Sequence, residues 1–221
     1  MSNQVAKIEW RDGVPISTHF NDPYYSLQNG LAETQHVFLA GNDLPHRFRP
    51  GFHIAELGFG TGLNLLATWQ AWLDAGIEGP LYYTSFELYP LASDDLKQAL
   101  AAFPDLALMT DKFLQEMRCD VGFQLGNLQV QIVVGDVRQT LPNWEGSADA
   151  WFLDGFAPSE NPEMWEADLM NAVAARTNPG GTFATFTAAG MVRRGLQAAG
   201  FQVERKPGYG RKRHMSVGTL V

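Results

Sequence analysis

Ala55-Glu56-Leu57-Gly58-Phe59-Gly60-Thr61-Gly62 is the stretch from which the rest of the chain is read. An apolar run over 53–57 leads into three glycines at alternate positions, and residues 63–75 then carry a helical pattern closed by Gly76. Glycine permits a positive φ and lets a ligand lie against the backbone. The helix that follows starts with free N–H groups. Buried strand, glycine turn and helix in that order make a nucleotide-cofactor turn. The dinucleotide fingerprint Gly-x-Gly-x-x-Gly would need its third glycine at position 63, where the chain has Leu63, so a nicotinamide dinucleotide is disfavoured. The competing reading is an ordinary tight strand–helix connection, since lone glycine patterns are common.

Outward from this turn, short apolar runs alternate with helical stretches, which predicts a parallel sheet covered by helices. Strands are expected at 81–87, 149–153 and 182–187. A hairpin is expected from 121–125 and 128–134, around Gly126-Asn127. An antiparallel pair, 201–205 and 215–220, is joined by the basic loop 207–214. Helices are expected at 91–103, 105–117, 164–176 and 191–199, with Asn178-Pro179-Gly180-Gly181 as a stop and Gly200 as a cap. Residues 1–50 read as an extension packed on a main domain of residues 51–221. In it, 7–18 form a hairpin turning at Asp12-Gly13, 21–25 form a turn, and 31–40 form a short helix ending at Gly41.

The 221 residues fit one domain of ordinary size. With 45% hydrophobic and 18% charged residues the chain can build a core and is not disordered. Its longest uncharged stretch, 57–73, holds three glycines, two threonines, Asn64 and Gln70, so no membrane span is expected. The first ten residues show no apolar signal region and include Lys7 and Glu9. One cysteine, Cys119, excludes an internal disulfide framework and a cysteine-rich zinc site. The five histidines show no metal spacing and pair with no nucleophile. A soluble, cytoplasmic protein without metal or membrane contact is expected. The net charge of −8 is uneven. Residues 193–214 hold seven bases and one acid, a net of +6, and the remainder is −14. Such a basic edge suits an anionic partner, or else is a solvated surface that offsets the acidic body.

Gly-x-Gly-x-Gly preceded by an acid resembles the first motif of the class I S-adenosylmethionine-dependent methyltransferases. Their cofactor has no pyrophosphate but carries an ammonium, and Glu56 is an acid suited to hold it. Glu87 ends the next strand, where a doubly wound sheet sets a carboxylate beside the cofactor ribose; alone, such an acid is more often solvated or an N-cap. Asp136, in Val133-Val134-Gly135-Asp136-Val137, stands where that class often has an acid facing the adenine amino group, and a helix N-cap explains it equally well. The fourth strand end reads Trp151-Phe152-Leu153-Asp154-Gly155-Phe156-Ala157-Pro158. It resembles the acid or amide, proline and aromatic of amino-directed methyltransferases. A carboxylate there accepts N–H groups of the target amine and aims its lone pair, and an aromatic face stabilises sulfonium and ammonium alike. Catalysis is then proximity and electrostatics. The alternative for Asp154 is a cap on the following turn.

The chain from about Asp12 to Gly218 resembles the methyltransferase domain of the bifunctional tRNA-modifying MnmC family, including stand-alone relatives. The carrying stretches are Asp22-Pro-Tyr-Tyr-Ser26 with Asn29-Gly-Leu-Ala-Glu-Thr34, Glu56 to Leu66 with Trp69-Gln70-Ala71, Ser85-Phe-Glu-Leu-Tyr-Pro90, Ala150 to Trp165, Pro179-Gly-Gly-Thr182 with Ala184-Thr-Phe-Thr187, Val192-Arg-Arg-Gly-Leu-Gln197 and Gly210-Arg-Lys-Arg213. The resemblance implies a Rossmann-like α/β fold of seven strands, one antiparallel, behind an N-terminal extension. It implies methyl transfer from S-adenosyl-L-methionine to 5-aminomethyluridine, usually 2-thiolated, at the tRNA wobble position. On that reading Glu56, Gly58, Gly60, Gly62, Asn64, Glu87, Asp136 and Asp154 hold the cofactor, and Tyr24 and Asn29 belong to a segment, 24–33, that closes its pocket. Asp154 and Phe156 hold the target amine. Arg193, Arg194, Arg211, Lys212 and Arg213 meet the anticodon arm of the tRNA, whose wobble base must be unstacked into a pocket. The family's oxidase part is not expected in a chain ending at Val221, so the aminomethyl precursor is either delivered directly or made by a separate enzyme. A methyltransferase for a small-molecule or protein amine is the alternative, and a noncatalytic RNA-binding module ranks last.

Overall fold

The computed structural model describes residues 5–26, 29–119 and 121–221. Residues 1–4 of the N-terminal stretch, and 27 and 28 of the segment expected to close the pocket, lie outside the described residues. In chain order the elements are β1 (Ile8–Arg11), β2 (Val14–Ser17), β3 (Asp22–Pro23), α1 (Gly30–Thr34), β4 (His53–Leu57), α2 (Leu63–Asp74), β5 (Leu81–Glu87), α3 (Ser93–Leu100), α4 (Ala107–Glu116), β6 (Phe123–Leu125) and β7 (Leu128–Val134). There follow α5 (Val137–Asn143), β8 (Ala148–Leu153), α6 (Ala167–Ala175), β9 (Thr177–Thr185), α7 (Gly190–Ala198), β10 (Phe201–Pro207) and β11 (His214–Leu220).

The main sheet runs β10-β11-β9-β8-β4-β5-β7-β6. β4 is parallel to β5 and β8, β5 to β7, and β8 to β9. β11 is antiparallel to both β9 and β10. The sheet thus has eight strands rather than seven, because the expected hairpin adds β6 antiparallel to β7 at one edge. Alternate residues of the central strands serve opposite faces. Phe152 packs with Ile54, Leu65, Trp72 and Tyr83 on one side. Trp151 and Leu153 pack with Ala55, Leu57 and Leu169 on the other. Burial on both faces is why these strands read as near-continuous apolar runs.

Several boundaries differ from expectation for local reasons. The stretch 21–25 is not only a turn, because Asp22 and Pro23 pair with β2 as β3. The helix expected over 31–40 starts at Gly30, widens into a π-helical stretch (Gln35–Leu39) and tightens into a 3-10 turn (Ala40–Asn42). Val37, Phe38 and Leu39 are all buried, so this segment packs into the core on more than one side. Gly41 is not the stop. A Cβ there would lie 2.7 Å from Ala184 Cβ, so glycine lets the helical segment press on β9, and the chain leaves the helix at Asp43, whose φ is +56°. The helix expected over 91–103 is shorter, because Ser93 follows an extended Ala92. The helix expected over 164–176 breaks at Glu166 between a 3-10 turn (Pro162–Trp165) and α6. Strand β9 begins before the Pro-Gly-Gly stop: Thr177 pairs with Ala148 and Thr182 with Ala150, so the intervening residues bulge out of register.

Candidate active site

The order of the sheet reverses between β4 and β8, and ligands of open α/β sheets bind at the carboxyl ends of the strands beside such a switch. Glu87, Asp136 and Asp154 sit at or just past the ends of β5, β7 and β8. Glycine shapes the turn after β4. Gly58, Gly60 and Gly62 have φ of +85°, +53° and +76°. A Cβ on Gly58 would meet the Asp154 carbonyl oxygen at 3.2 Å, and one on Gly60 would meet the Tyr24 ring at 3.3 Å.

A cavity of about 430 Å³ opens over this turn, walled by Tyr24, Gly58, Gly60, Asn64, Glu87, Asp154, Phe156, Arg211 and Lys212 among others. A second cavity of about 190 Å³ shares Gly58, Glu87, Gly155 and Phe156 with it and extends to Leu88, Asp136 and Val137. Together they trace a path from the glycine turn, past the tip of β5, to the tip of β7. The larger cavity is lined by the acids Asp22, Glu33, Glu87 and Asp154 and the bases Arg211 and Lys212, a balance that favours a cation.

Glu56 does not line either cavity. It is fully buried, and its oxygens accept from Asn64 Nδ2 at 2.8 Å and Ser85 Oγ at 2.7 Å. Burial pushes its carboxyl up to about 8 against these hydrogen bonds. Asn64 stands between it and the cavity. The same Nδ2 donates to Asp154 Oδ2 at 2.8 Å, and Asn64 Oδ1 accepts from Thr34 Oγ1 at 2.8 Å. Both amide hydrogens are thus committed to carboxylates and the amide oxygen to a hydroxyl. Asp154 Oδ1 accepts from the Gly155 N–H at 2.8 Å. Burial raises the Asp154 carboxyl to about 6, while the Gly155 and Asn64 bonds and the nearby Lys212 pull it down.

Glu87 accepts from the N–H of Gly60 at 3.0 Å and of Tyr89 at 2.8 Å, so its carboxylate locks onto the glycine turn; burial raises its carboxyl. Asp136 belongs to the smaller cavity. It caps α5 by accepting from Arg138 N, and the Arg138 guanidinium grips both its oxygens, which holds its carboxyl low. Phe156 stacks on Phe20 at 4.7 Å and 28°, and Tyr24 meets it edge-on at 5.2 Å and 80°. The loop after β8 is pinned from both sides: Ala157 N donates to Asp22 Oδ2 at 2.8 Å, and Trp165 Nε1 to Phe156 O at 3.0 Å.

The structure separates other expected residues. Asn29 is exposed and outside the cavity walls, and its side chain accepts from Ala32 N as the cap of α1. Gly62 shapes the turn without lining the cavity. Arg193 and Arg194 lie on α7, away from the walls of both cavities, and the Arg193 Nε is buried without a hydrogen-bond partner. Arg213 is exposed in the β10–β11 loop, whereas Lys212 turns to Glu33. Sequence reasoning missed Asp22, Thr34 and Phe20 as parts of the site, and included Glu33 only as the end of the segment 24–33. The clustering of aromatics and acids over 20–34 was the available signal.

The sequence profile of the S-adenosyl-L-methionine-dependent methyltransferases matches residues 104–221, more than half of the chain. The chain belongs to that family. It is 47% identical over 224 residues to the tRNA 5-methylaminomethyl-2-thiouridine biosynthesis bifunctional protein MnmC of Methylobacillus flagellatus, covering 96% of this chain and 35% of that protein. It is 45% identical over 234 residues to the protein of the same name in Chromobacterium violaceum, covering 100% of this chain and again 35% of the relative. The chain therefore spans about a third of the length of these relatives. The crystal structure of MnmC2 from Aquifex aeolicus shares the fold, with a TM-score of 0.80 over 98% of this chain and 71% of that one at 22% identity.

S-adenosylmethionine is the cofactor of the family, and the residues present fit it. The glycine turn leaves room where a Cβ would intrude, the larger cavity carries more acids than bases, as a sulfonium would need, and Glu87 lies at the junction of the two cavities.

Proposed function

We propose that this chain methylates the amine of 5-aminomethyluridine, usually 2-thiolated, at the wobble position of tRNA, giving 5-methylaminomethyluridine. The observation that carries the reading is Asp154: a cavity-wall carboxylate fixed at each oxygen by an N–H donor, beside the Phe156–Phe20–Tyr24 cluster. The names of the relatives support the substrate. Arg211 in the cavity wall and Arg213 beside it support an RNA partner over a free small molecule.

When bound, S-adenosylmethionine supplies a methyl group on positively charged sulfur. The chain's own residues bind and orient. Glu87 holds the ribose hydroxyls, and the cavity between Leu88 and Val137 takes the adenine, with Asp136 at its edge. Asp154, ionised at neutral pH, accepts an N–H of the target amine and aims the nitrogen lone pair. The aromatic cluster excludes water and offers a π face to positive charge. Glu56 acts through Asn64, which it helps to orient. Residues 1–50 act as an extension that closes one side of the cavity. The reading calls for a source of aminomethyl-bearing tRNA, such as a separate enzyme, and for a cytoplasmic location. Among the described residues no helix is long and apolar enough to cross a membrane.

The test is nucleoside mass spectrometry. The purified chain is incubated with S-adenosylmethionine and tRNA bearing 5-aminomethyluridine. Conversion of that nucleoside to its methylamino form is expected. Unchanged tRNA, with methylation of a free nucleoside or a peptide amine instead, returns the reading to an amine methyltransferase of another substrate class.

A further inference from the structure

Glu33, on α1, and Lys212, in the β10–β11 loop, meet in the wall of the larger cavity with Nζ 2.9 Å from Oε1. The Glu33 side chain is only 12% exposed and the Lys212 side chain 46%. The Lys212 ammonium also lies 4.1 Å from the centre of the Phe186 ring, which lines the same cavity. Lys212 is therefore turned inward, unlike Arg213. Thr34, next to Glu33, bonds the Asn64 that opens the helix after the glycine turn, so the pair stands beside that turn. Glu56, the acid expected to receive an ammonium here, is sealed behind Asn64.

An α-amino-acid group carries an ammonium and a carboxylate on one carbon. A carboxylate and an ammonium already in contact are a template for it. Glu33 can exchange Lys212 for the ligand's ammonium while Lys212 takes the ligand's carboxylate. One ion pair becomes two, and no partly buried charge is left unpaired. Ion pairs in a cavity that water leaves are stronger than the same pairs at the surface.

We propose that Glu33 and Lys212 part to clasp the α-ammonium and α-carboxylate at the amino-acid end of the cofactor. They select ligands that carry this end over ligands that stop at the thioether. Lys212 is then a cofactor-binding residue rather than a phosphate-binding one, and Arg211 and Arg213 are left for RNA. The inference rests on membership of the methyltransferase family and not on the tRNA substrate.

Calorimetry on the full chain tests it with two ligands. S-adenosylhomocysteine carries the amino-acid end, and 5′-methylthioadenosine lacks it. In Glu33→Gln and in Lys212→Met, affinity for S-adenosylhomocysteine is expected to fall at least about tenfold, and that for 5′-methylthioadenosine to stay within about threefold. The exchanged double variant Glu33→Lys with Lys212→Glu restores an ion pair and is expected to keep the thermal midpoint without recovering S-adenosylhomocysteine affinity. Parallel loss of both ligands, no loss of either, or wild-type affinity in the exchanged variant would each overturn the proposal. No RNA enters the measurement, so its failure leaves the tRNA reading intact, and unmethylated tRNA leaves this result intact.

Discussion

Glu56 and Asp154 share a single amide group, Asn64 Nδ2, at 2.8 Å from each, yet burial sets them apart. Glu56 is raised to about 8 and is protonated at neutral pH; Asp154 is raised to about 6 and is ionised. One is support and the other an acceptor facing the cavity. Asp154→Ala is expected to cut single-turnover methylation by more than about tenfold, roughly 1.4 kcal/mol of barrier, with cofactor affinity held within a few fold. The wild-type rate should fall as pH drops through about 6, because a protonated Asp154 donates where it must accept. Rates measured across that range in the wild type and the variant check both statements. Glu56 predicts a different pH effect. The folded state keeps a proton that the unfolded chain has shed between the ordinary value of 4.5 and about 8, so stability falls as pH rises through that window. Glu56→Gln keeps a neutral side chain that accepts from Asn64 and donates to Ser85. Its thermal midpoint should exceed that of wild type at alkaline pH and change less with pH; a midpoint that tracks the wild type across the range would reject this.

At the scale of elements, the central strands were legible because they carry apolar runs bounded by turn residues; β4 and β5 lie where the pattern put them. The glycine turn was legible because three positive-φ positions in five residues leave few alternatives to glycine. The segment 30–42 was legible only as helical. Its switch from α to π to 3-10 was not, and it ends with Gly41 against Ala184 of β9, a contact that a local pattern does not record. Nor was the inward turn of Lys212: Gly-Arg-Lys-Arg reads as one basic run, and only the fold aims the middle charge at Glu33. The basic loop is expected to meet RNA through Arg211 and Arg213. Arg211→Ala with Arg213→Ala should weaken tRNA binding and flatten the slope of log K against log salt by about 0.7–0.9 for each phosphate no longer neutralised. Filter binding over a salt series gives the slope, and an unchanged slope would remove the loop from the interface.

Across the whole molecule, the described residues of the site come from three separated stretches of chain: 20–26 with 30–34, the tips of the central strands, and the loop 209–212. Hydrogen bonds join them: Ala157 N donates to Asp22 Oδ2 at 2.8 Å, holding the loop after β8, and Lys212 Nζ to Glu33 Oε1 at 2.9 Å. Thr34 is the cross-link that reaches the chemistry, since its hydroxyl fixes which way the Asn64 amide faces. Without that donor the amide oxygen is left unsatisfied in a buried site, at a cost of about 1–3 kcal/mol, and the hold on Asp154 loosens. Thr34→Val keeps the shape and removes the hydroxyl. It should lower the thermal midpoint, reduce turnover, and move the acid limb of the rate profile upward, because an Asp154 with a weaker N–H donor ionises at higher pH. Thr34→Ser restores the donor and should recover the limb. If valine lowers stability but leaves the limb in place, the N-terminal segment braces the fold without setting the state of the acceptor carboxylate.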